Sequence, residues 1–164
     1  SQQILEKKFD FPLSIMAVGV NKKMTSDVMS EIRDKFNKKI FRKKVLLIGV
    51  SYREDTNDTR YSPAEGVFDF FKKMKCKTSF YDPIVNYWDF TGSYSIEKKN
   101  LENFDIYVYL VKHQIFKKLN IPYKKKSLIL DLNHVLERNK RLRISKNKNY
   151  ISYFIGSKQL WNIW

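Results

Sequence analysis

Two arginines, Arg53 and Arg60, and three carboxylates, Glu54, Asp55 and Asp58, stand between positions 53 and 60 of the segment GVSYREDTNDTRYSP, residues 49–63. Arginine presents a planar fork of N–H donors that meets a phosphate through two parallel hydrogen bonds, so this pair suits anion binding. Asp55 and Asp58 would then orient the guanidinium groups or accept hydrogen bonds from the loop's own amides. The same five residues can equally make a surface salt-bridge cluster without a ligand, and residue type alone leaves both readings open. A dinucleotide turn would carry Gly-x-Gly-x-x-Gly here, whereas only Gly49 is present. Any phosphate would therefore be held by side chains rather than by a closely approaching backbone.

Other chemistries find little material. His113 and His134 each sit alone near a strand end, and both are read as structural or surface histidines. No Cys/His set has metal-ligand spacing, and no nucleophile elbow, metal-binding helix or P-loop is present. The lone Cys76 cannot form an internal disulfide and is read as a small core residue at the start of a strand. No catalytic residue and no metal site are assigned.

The elements that must position the charged loop are legible on either side of it. KKVLLIG before it reads as a buried strand, and SPAEGVFDFFKKM after it reads as a helix. Ser62 is the expected N-cap, Pro63 the first helical residue and Glu65 the third residue of a capping box, which aims free amides back at Arg53 and Arg60. KTSFYD, DIYVYLV, SLILDL and YISYFIG follow as further strands, with a short helix expected near 95–102. Strands apolar at consecutive positions and separated by helical segments indicate a parallel sheet covered on both faces. The expected fold class is α/β, a three-layer Rossmann-like domain with a mostly parallel sheet, preceded by a long helical segment.

That helical segment shows in Leu13, Met16, Val20, Met24, Val28, Ile32 and Phe36, one apolar stripe at three- and four-residue spacing. Thr25, Ser26 and Asp27 can cap a restart midway, giving two helices or one with a break. The stripe exceeds what one neighbour covers, so a partner subunit is expected. The basic run RNKRLRISKNK, residues 138–148, is read as a solvated loop before the last strand.

Thirty-two basic against seventeen acidic residues give a net charge of +15. Nucleic acid, an anionic membrane surface or a phosphorylated small molecule would each suit that balance. Lysine scattered as solvated surface would explain it as well, so nucleic acid is not the expected partner. No apolar run approaches the ~20 residues of a membrane span, no signal-peptide pattern opens the chain, and a cytoplasmic protein with no membrane partner is expected.

GVSYREDTNDTRYSPA resembles the signature that opens the C-terminal domain of the UDP-glucose/GDP-mannose dehydrogenase family: Gly-x-aromatic-Lys, an acidic Asp-Thr pair, Asp-Thr-Arg, then Ser-Pro. SFYDPIV resembles the family's Tyr-Asp-Pro after the second strand, DIYVYLVKHQIF its third strand and following His, and SLILDLNHVL its fourth. FPLSIMAVGVNKKM is similar to the end of the central helix on which these enzymes dimerise. The likeness runs over residues 10–136.

The resemblance implies a division into residues 1–40, the end of the central helical dimerisation domain, and residues 41–164, the C-terminal UDP-sugar-binding domain. It implies an NAD-dependent oxidation of a UDP-sugar, of the UDP-glucose or UDP-N-acetylhexosamine type, at C6 to a uronate, with a homodimer formed through the N-terminal helix. On the same basis Tyr52 and Arg53 are substrate-binding residues and Arg60 reaches NAD across a domain interface. NAD itself would be held mainly by an N-terminal domain that, with the family's catalytic cysteine, has no counterpart here. This stretch alone is therefore expected to be inactive. Two departures stand out: Arg53 occupies the family's lysine position, and Asp131-Leu132-Asn133-His134 replaces an Asp-x-Arg-Asn pattern. They keep open an alternative, a non-catalytic dimerisation or regulatory module of the same fold.

Overall fold

The computed structural model describes residues 12–145 and 149–152. Its frame is a five-stranded sheet of β1 (Lys44–Ile48), β2 (Lys77–Tyr81), β5 (Ile106–Tyr109), β6 (Leu128–Asp131) and β7 (Asn149–Ser152). They lie in the order β2-β1-β5-β6-β7, every neighbouring pair parallel. The register is set strand by strand, Val45 lying beside Thr78 on one side and Ile106 on the other. A separate two-stranded antiparallel hairpin, β3 (Tyr87–Trp88) and β4 (Ser93–Tyr94), follows β2.

Alternation along the strands sorts side chains onto two faces. Val45 and Leu47 of β1, Val108 of β5 and Leu130 of β6 join Met29 and Ile32 of α1 (Pro12–Ile40) and Val67 and Phe71 of α2 (Pro63–Lys73) in one core. Leu46 and Ile48, Tyr107 and Tyr109, and Ile129 point the other way, into a second core. Phe116 from a 3-10 turn after β5, Leu119 just past that turn, and Ile144 from α3 (Arg138–Ser145) close that face. The expected three layers are thus present, and the sheet is apolar on both sides because both sides are covered.

α1 runs unbroken through Thr25–Asp27, where a restart was considered. Thr25 is buried rather than capping: its Cγ2 would lie 3.3 Å from a Cβ placed on Gly66, so a glycine on α2 brings the two helices close. α2 begins as expected at Ser62 and Pro63 and buries Ala64, Val67 and Phe71, a helical stripe, against the sheet. Cys76 is half-buried just before β2, its thiol on the Ile40 carbonyl at 3.1 Å and its pKa pushed up by burial.

Three expectations change. The helix near 95–102 is a single 3-10 turn, Lys98–Asn100, and the loop-rich stretch before it contains the hairpin. Much of the basic run is not loop but α3. Residues 146–148 of that run and 153–156 of the last expected strand lie outside the described residues. Among the described residues no helix is long and apolar enough to cross a membrane.

Candidate functional site

Strand order reverses around β1: the chain leaves it through α2 to β2 on one side, then crosses to β5 on the other. The loops beyond the carboxyl ends of β1 and β5 diverge at such a point and leave a crevice, the usual ligand site of open α/β sheets. Here the crevice is an open cleft of about 380 Å³. It is lined by Tyr52, Arg53 and Glu54 after β1, Ser62, Pro63 and Ala64 at the start of α2, Leu110 and Val111 after β5, and Asn133 after β6.

Gly49 sets how tightly these loops approach. Its φ is +80°, and a Cβ there would sit 2.9 Å from the Val111 carbonyl oxygen, so only glycine lets the two loops run in contact. From Gly49 the chain is held by a buried carboxylate. Asp82, just past β2, accepts hydrogen bonds from the amides of Val50 (2.8 Å), Ser51 (3.4 Å), Ile84 (2.9 Å) and Val85 (3.0 Å). Burial would raise its pKa, but the bonds from His113 and from these amides outweigh burial and hold it below the usual carboxylate value.

His113 completes this cluster with a side chain wholly out of solvent. Its Nε2 lies 3.2 Å from Asp82 Oδ2 and 3.2 Å from Ser51 Oγ, and its Nδ1 accepts the Asp55 amide at 3.0 Å. Because the Ser51 hydroxyl donates to the Arg53 carbonyl at 2.8 Å, it receives the Nε2 proton, which it shares with Asp82. The ring is therefore the Nε2–H tautomer. Burial alone would lower its pKa, yet the Asp82 and Asp55 carboxylates raise it above the ordinary histidine value. A serine, a histidine and an aspartate in contact suggest a nucleophilic triad, but a triad uses opposite ring nitrogens. Ser51 and Asp82 share Nε2, and although Asp55 Oδ1 lies 3.5 Å from Nδ1, that nitrogen accepts the Asp55 amide; with the Ser51 hydroxyl donated to the Arg53 carbonyl, neither ring nitrogen is placed to take its proton.

The predicted site residues divide. Tyr52 and Arg53 come together in the cleft, both exposed. The Arg53 carbonyl accepts from Ser51 and Thr56, while its guanidinium enters no ion pair among the described residues. Arg60 lies outside that lining, its side chain 81% exposed, with Nε and Nη2 bound to the two carboxylate oxygens of Asp58 at 2.9 and 2.8 Å. The Arg60 bonds bring the Asp58 carboxyl down to about 2. The anticipated free amides of α2 are largely used by its own cap: Ala64 N donates to Ser62 Oγ and Glu65 N to the Ser62 carbonyl. Arg53 is thus the cationic donor at the cleft.

Sequence reading missed the Asp82–His113 pair. The available signal was positional, since an Asp after one parallel strand and a His after another must share the sheet's carboxyl edge. Asn133 reaches the cleft because the buried Asp131 carboxylate accepts the amides of Val135 (2.7 Å) and Leu136 (3.1 Å), folding the β6 loop back. Among the described residues no group of His, Cys, Asp and Glu can hold a metal ion.

The family model described as "UDP-glucose/GDP-mannose dehydrogenase family, UDP binding domain" matches residues 46–138, which span β1, the charged loop and β6. The UDP-N-acetyl-D-mannosamine dehydrogenase of Methanococcus aeolicus is 26% identical over 148 residues, covering 90% of this chain and 32% of that protein. The protein of the same name from Methanocaldococcus jannaschii is 32% identical over 142 residues, covering 82% of this chain and 32% of its own length. The chain therefore spans about a third of the length of these relatives. In fold it is similar to an NDP-N-acetyl-D-galactosaminuronic acid dehydrogenase from Methanosarcina mazei Go1 (TM-score 0.61, 21% identity, 80% of this chain, 28% of that one). It is likewise similar to the UDP-D-ManNAc dehydrogenase of Pyrococcus horikoshii (TM-score 0.56, 23% identity, 82% and 30%).

Proposed function

Since the chain belongs to the UDP-glucose/GDP-mannose dehydrogenase family, its UDP binding domain matched over residues 46–138, we propose that it is the nucleotide-holding part of an NAD-dependent UDP-sugar 6-dehydrogenase. The observation that carries this reading is the coincidence of that match with the cleft at the strand-order reversal, where Tyr52 and an unpaired Arg53 guanidinium face the same space. Arg53 meets the diphosphate through its fork, and Tyr52 offers a flat apolar face to the base or sugar. The cleft is of a size for a nucleotide portion, and the remainder of the ligand extends toward a neighbouring domain.

The substrate is of the UDP-N-acetylhexosamine type, which the names of the sequence relatives favour over UDP-glucose. The whole protein takes the C6 alcohol to a uronate, with NAD supplying the hydride acceptor when bound. In this chain Arg60 is the residue that would reach NAD. Its outward position suits that role, since Asp58 uses one edge of the guanidinium and leaves the other free. Residues 1–40 belong to a central helical region through which two copies pair, and residues 41–164 to the UDP-sugar domain.

A second reading, a non-catalytic module with the same fold, draws on one observation: Asn133, where the family pattern has arginine, lines the cleft without contributing charge. Titration calorimetry with UDP and with UDP-N-acetylhexosamines separates the readings. Saturable binding that Arg53→Ala weakens about tenfold or more supports the first, and no binding by any protein containing this domain sinks it.

A further inference from the structure

The segment Tyr52–Glu54, which forms one wall of the cleft, is fastened at both ends to a single imidazole. Ser51, immediately before it, places its hydroxyl 3.2 Å from His113 Nε2; Asp55, immediately after it, gives its amide to His113 Nδ1 at 3.0 Å. The ring is itself immobilised. Asp82 takes Nε2–H at 3.2 Å, Phe116 packs edge-on with centroids 5.2 Å apart, and no part of the side chain reaches solvent.

Each fastening is directional. Asp55 holds a left-handed φ of +53°, its amide is donated to the ring, and its Oδ1 accepts the Gln114 amide at 3.1 Å beside His113. The Ser51 hydroxyl, held from the ring side, donates its own hydrogen bond to the Arg53 carbonyl at 2.8 Å and so fixes the backbone of the cleft cation. Three loops, after β1, β2 and β5, meet at this one side chain, whose bonds to Ser51 and Asp55 flank the lining residues Tyr52, Arg53 and Glu54.

We propose that His113 is a positioning residue for ligand binding: in its Nε2–H tautomer it anchors both ends of Tyr52–Glu54 and thereby presents Tyr52 and Arg53 to a nucleoside diphosphate. The claim rests on the reading of the cleft as a UDP-sugar site, but its anchoring part stands without a ligand. Only an imidazole supplies a donor and an acceptor on opposite edges of one rigid ring, which is what a buried carboxylate on one side and a backbone amide on the other require.

Two substitutions in the 164-residue chain divide the roles of the ring. His113→Gln keeps a donor near the Nε2 position for Asp82 but no acceptor for Asp55. His113→Asn keeps an acceptor near the Nδ1 position. Amide exchange followed by NMR should show Asp55 exchanging about tenfold faster or more in His113→Gln, with the Val50 and Val85 amides on Asp82 still protected, and near-native protection of Asp55 in His113→Asn. UDP affinity should fall about tenfold in His113→Gln and recover in His113→Asn. An unchanged Asp55 exchange rate overturns the anchoring, and a freed Asp55 amide with undiminished UDP affinity overturns the positioning role. If His113→Gln does not fold, the ring nitrogen shifts of the native chain decide: a pyridine-like Nδ1 coupled to the Asp55 amide supports the proposal and a protonated Nδ1 with bare Nε2 overturns it. Failure of the native chain, and of longer proteins containing this domain, to bind UDP removes the nucleotide-sugar reading and leaves the exchange result to judge the anchor.

Discussion

The carboxylate of Asp82, at the end of β2, receives the amide of Val50, at the end of β1, at 2.8 Å, and so ties two neighbouring strand ends into one rigid rim. Three further amides and His113 Nε2 share the same two oxygens. Truncation strands all of these donors in a site closed to water. Asp82→Ala should therefore cost about 3–5 kcal/mol, the range for breaking a buried charged network by deleting one partner. Urea denaturation measures it, and a loss under about 1 kcal/mol would mean the rim does not depend on this carboxylate. Asp82 has a folded-state pKa below its unfolded value. Its contribution is accordingly complete above the ordinary carboxylate range and disappears as pH falls through the folded value.

Gly49 and Gly92 both hold positive φ, +80° and +62°, but in different surroundings. At Gly49 a methyl group would press on the Val111 backbone at 2.9 Å, whereas at Gly92 the nearest atom is the Tyr87 hydroxyl at 3.8 Å. Gly92→Ala should cost only the left-handed backbone penalty of about 1–2 kcal/mol. Gly49→Ala should cost that plus the displacement of the β5 loop, a total above about 3 kcal/mol, and should weaken UDP binding because the cleft is framed by the displaced loop. Equal melting temperatures for the two variants would contradict the close approach of the β1 and β5 loops.

Arg53 and Arg60 are seven positions apart and are expected to behave differently. Arg53→Ala should lower UDP affinity by about tenfold to a hundredfold, the loss of a bidentate charged contact. Arg53→Lys should restore part of it, since a point charge replaces a fork. Arg60→Ala should leave UDP affinity within about twofold, because its fork is engaged by Asp58 outside the cleft lining. Calorimetry on the three variants tests the division, and a larger effect at Arg60 than at Arg53 would reverse the assignment.

The contrast also shows what was legible in the sequence. β1, β5 and β6 announced themselves through runs such as VLLI and IYVY, because strands covered on both faces have no polar positions to confuse the pattern. Ser62-Pro63 marked the start of α2 to the residue, since cap chemistry is local. α3 was hidden, because RNKRLRIS buries Ile144 while Leu142 stays exposed, which leaves no helical stripe to read. The hairpin was hidden for a different reason: two-residue strands are too short to alternate, and they hold through the contact of Tyr87 with Tyr94, rings 4.9 Å apart. Arg53 and Arg60 look equivalent in sequence, and only the fold decides which one faces the cleft. The His113 anchor was the least visible, since its partners Asp55 and Asp82 lie 58 and 31 positions away.

The same ring makes stability and binding respond to pH in opposite directions. Asp82 and Asp55 are the charged groups facing His113, and together they raise its folded-state pKa above the ordinary value near 6.5 despite burial. The stabilisation from the protonated ring is therefore fully present below the unfolded pKa and is lost as pH rises through the folded value. Anchoring of the Asp55 amide runs the other way, because Nδ1 accepts that amide only when the ring is neutral. Protonation puts an N–H against an N–H, and the ring must turn instead to Asp55 Oδ1, now 3.5 Å away. Over the window between about 6.5 and the folded-state pKa, affinity should rise with pH while the histidine contribution to stability falls. A UDP-N-acetylhexosamine is the probe to use, since its esterified diphosphate has no proton to lose in that window. Calorimetric titrations and urea midpoints measured across it should move oppositely, and His113→Gln should flatten both. Affinity and stability rising together, or a ring that titrates below 6.5, would show that the neutral imidazole is not what holds Tyr52–Glu54 in place.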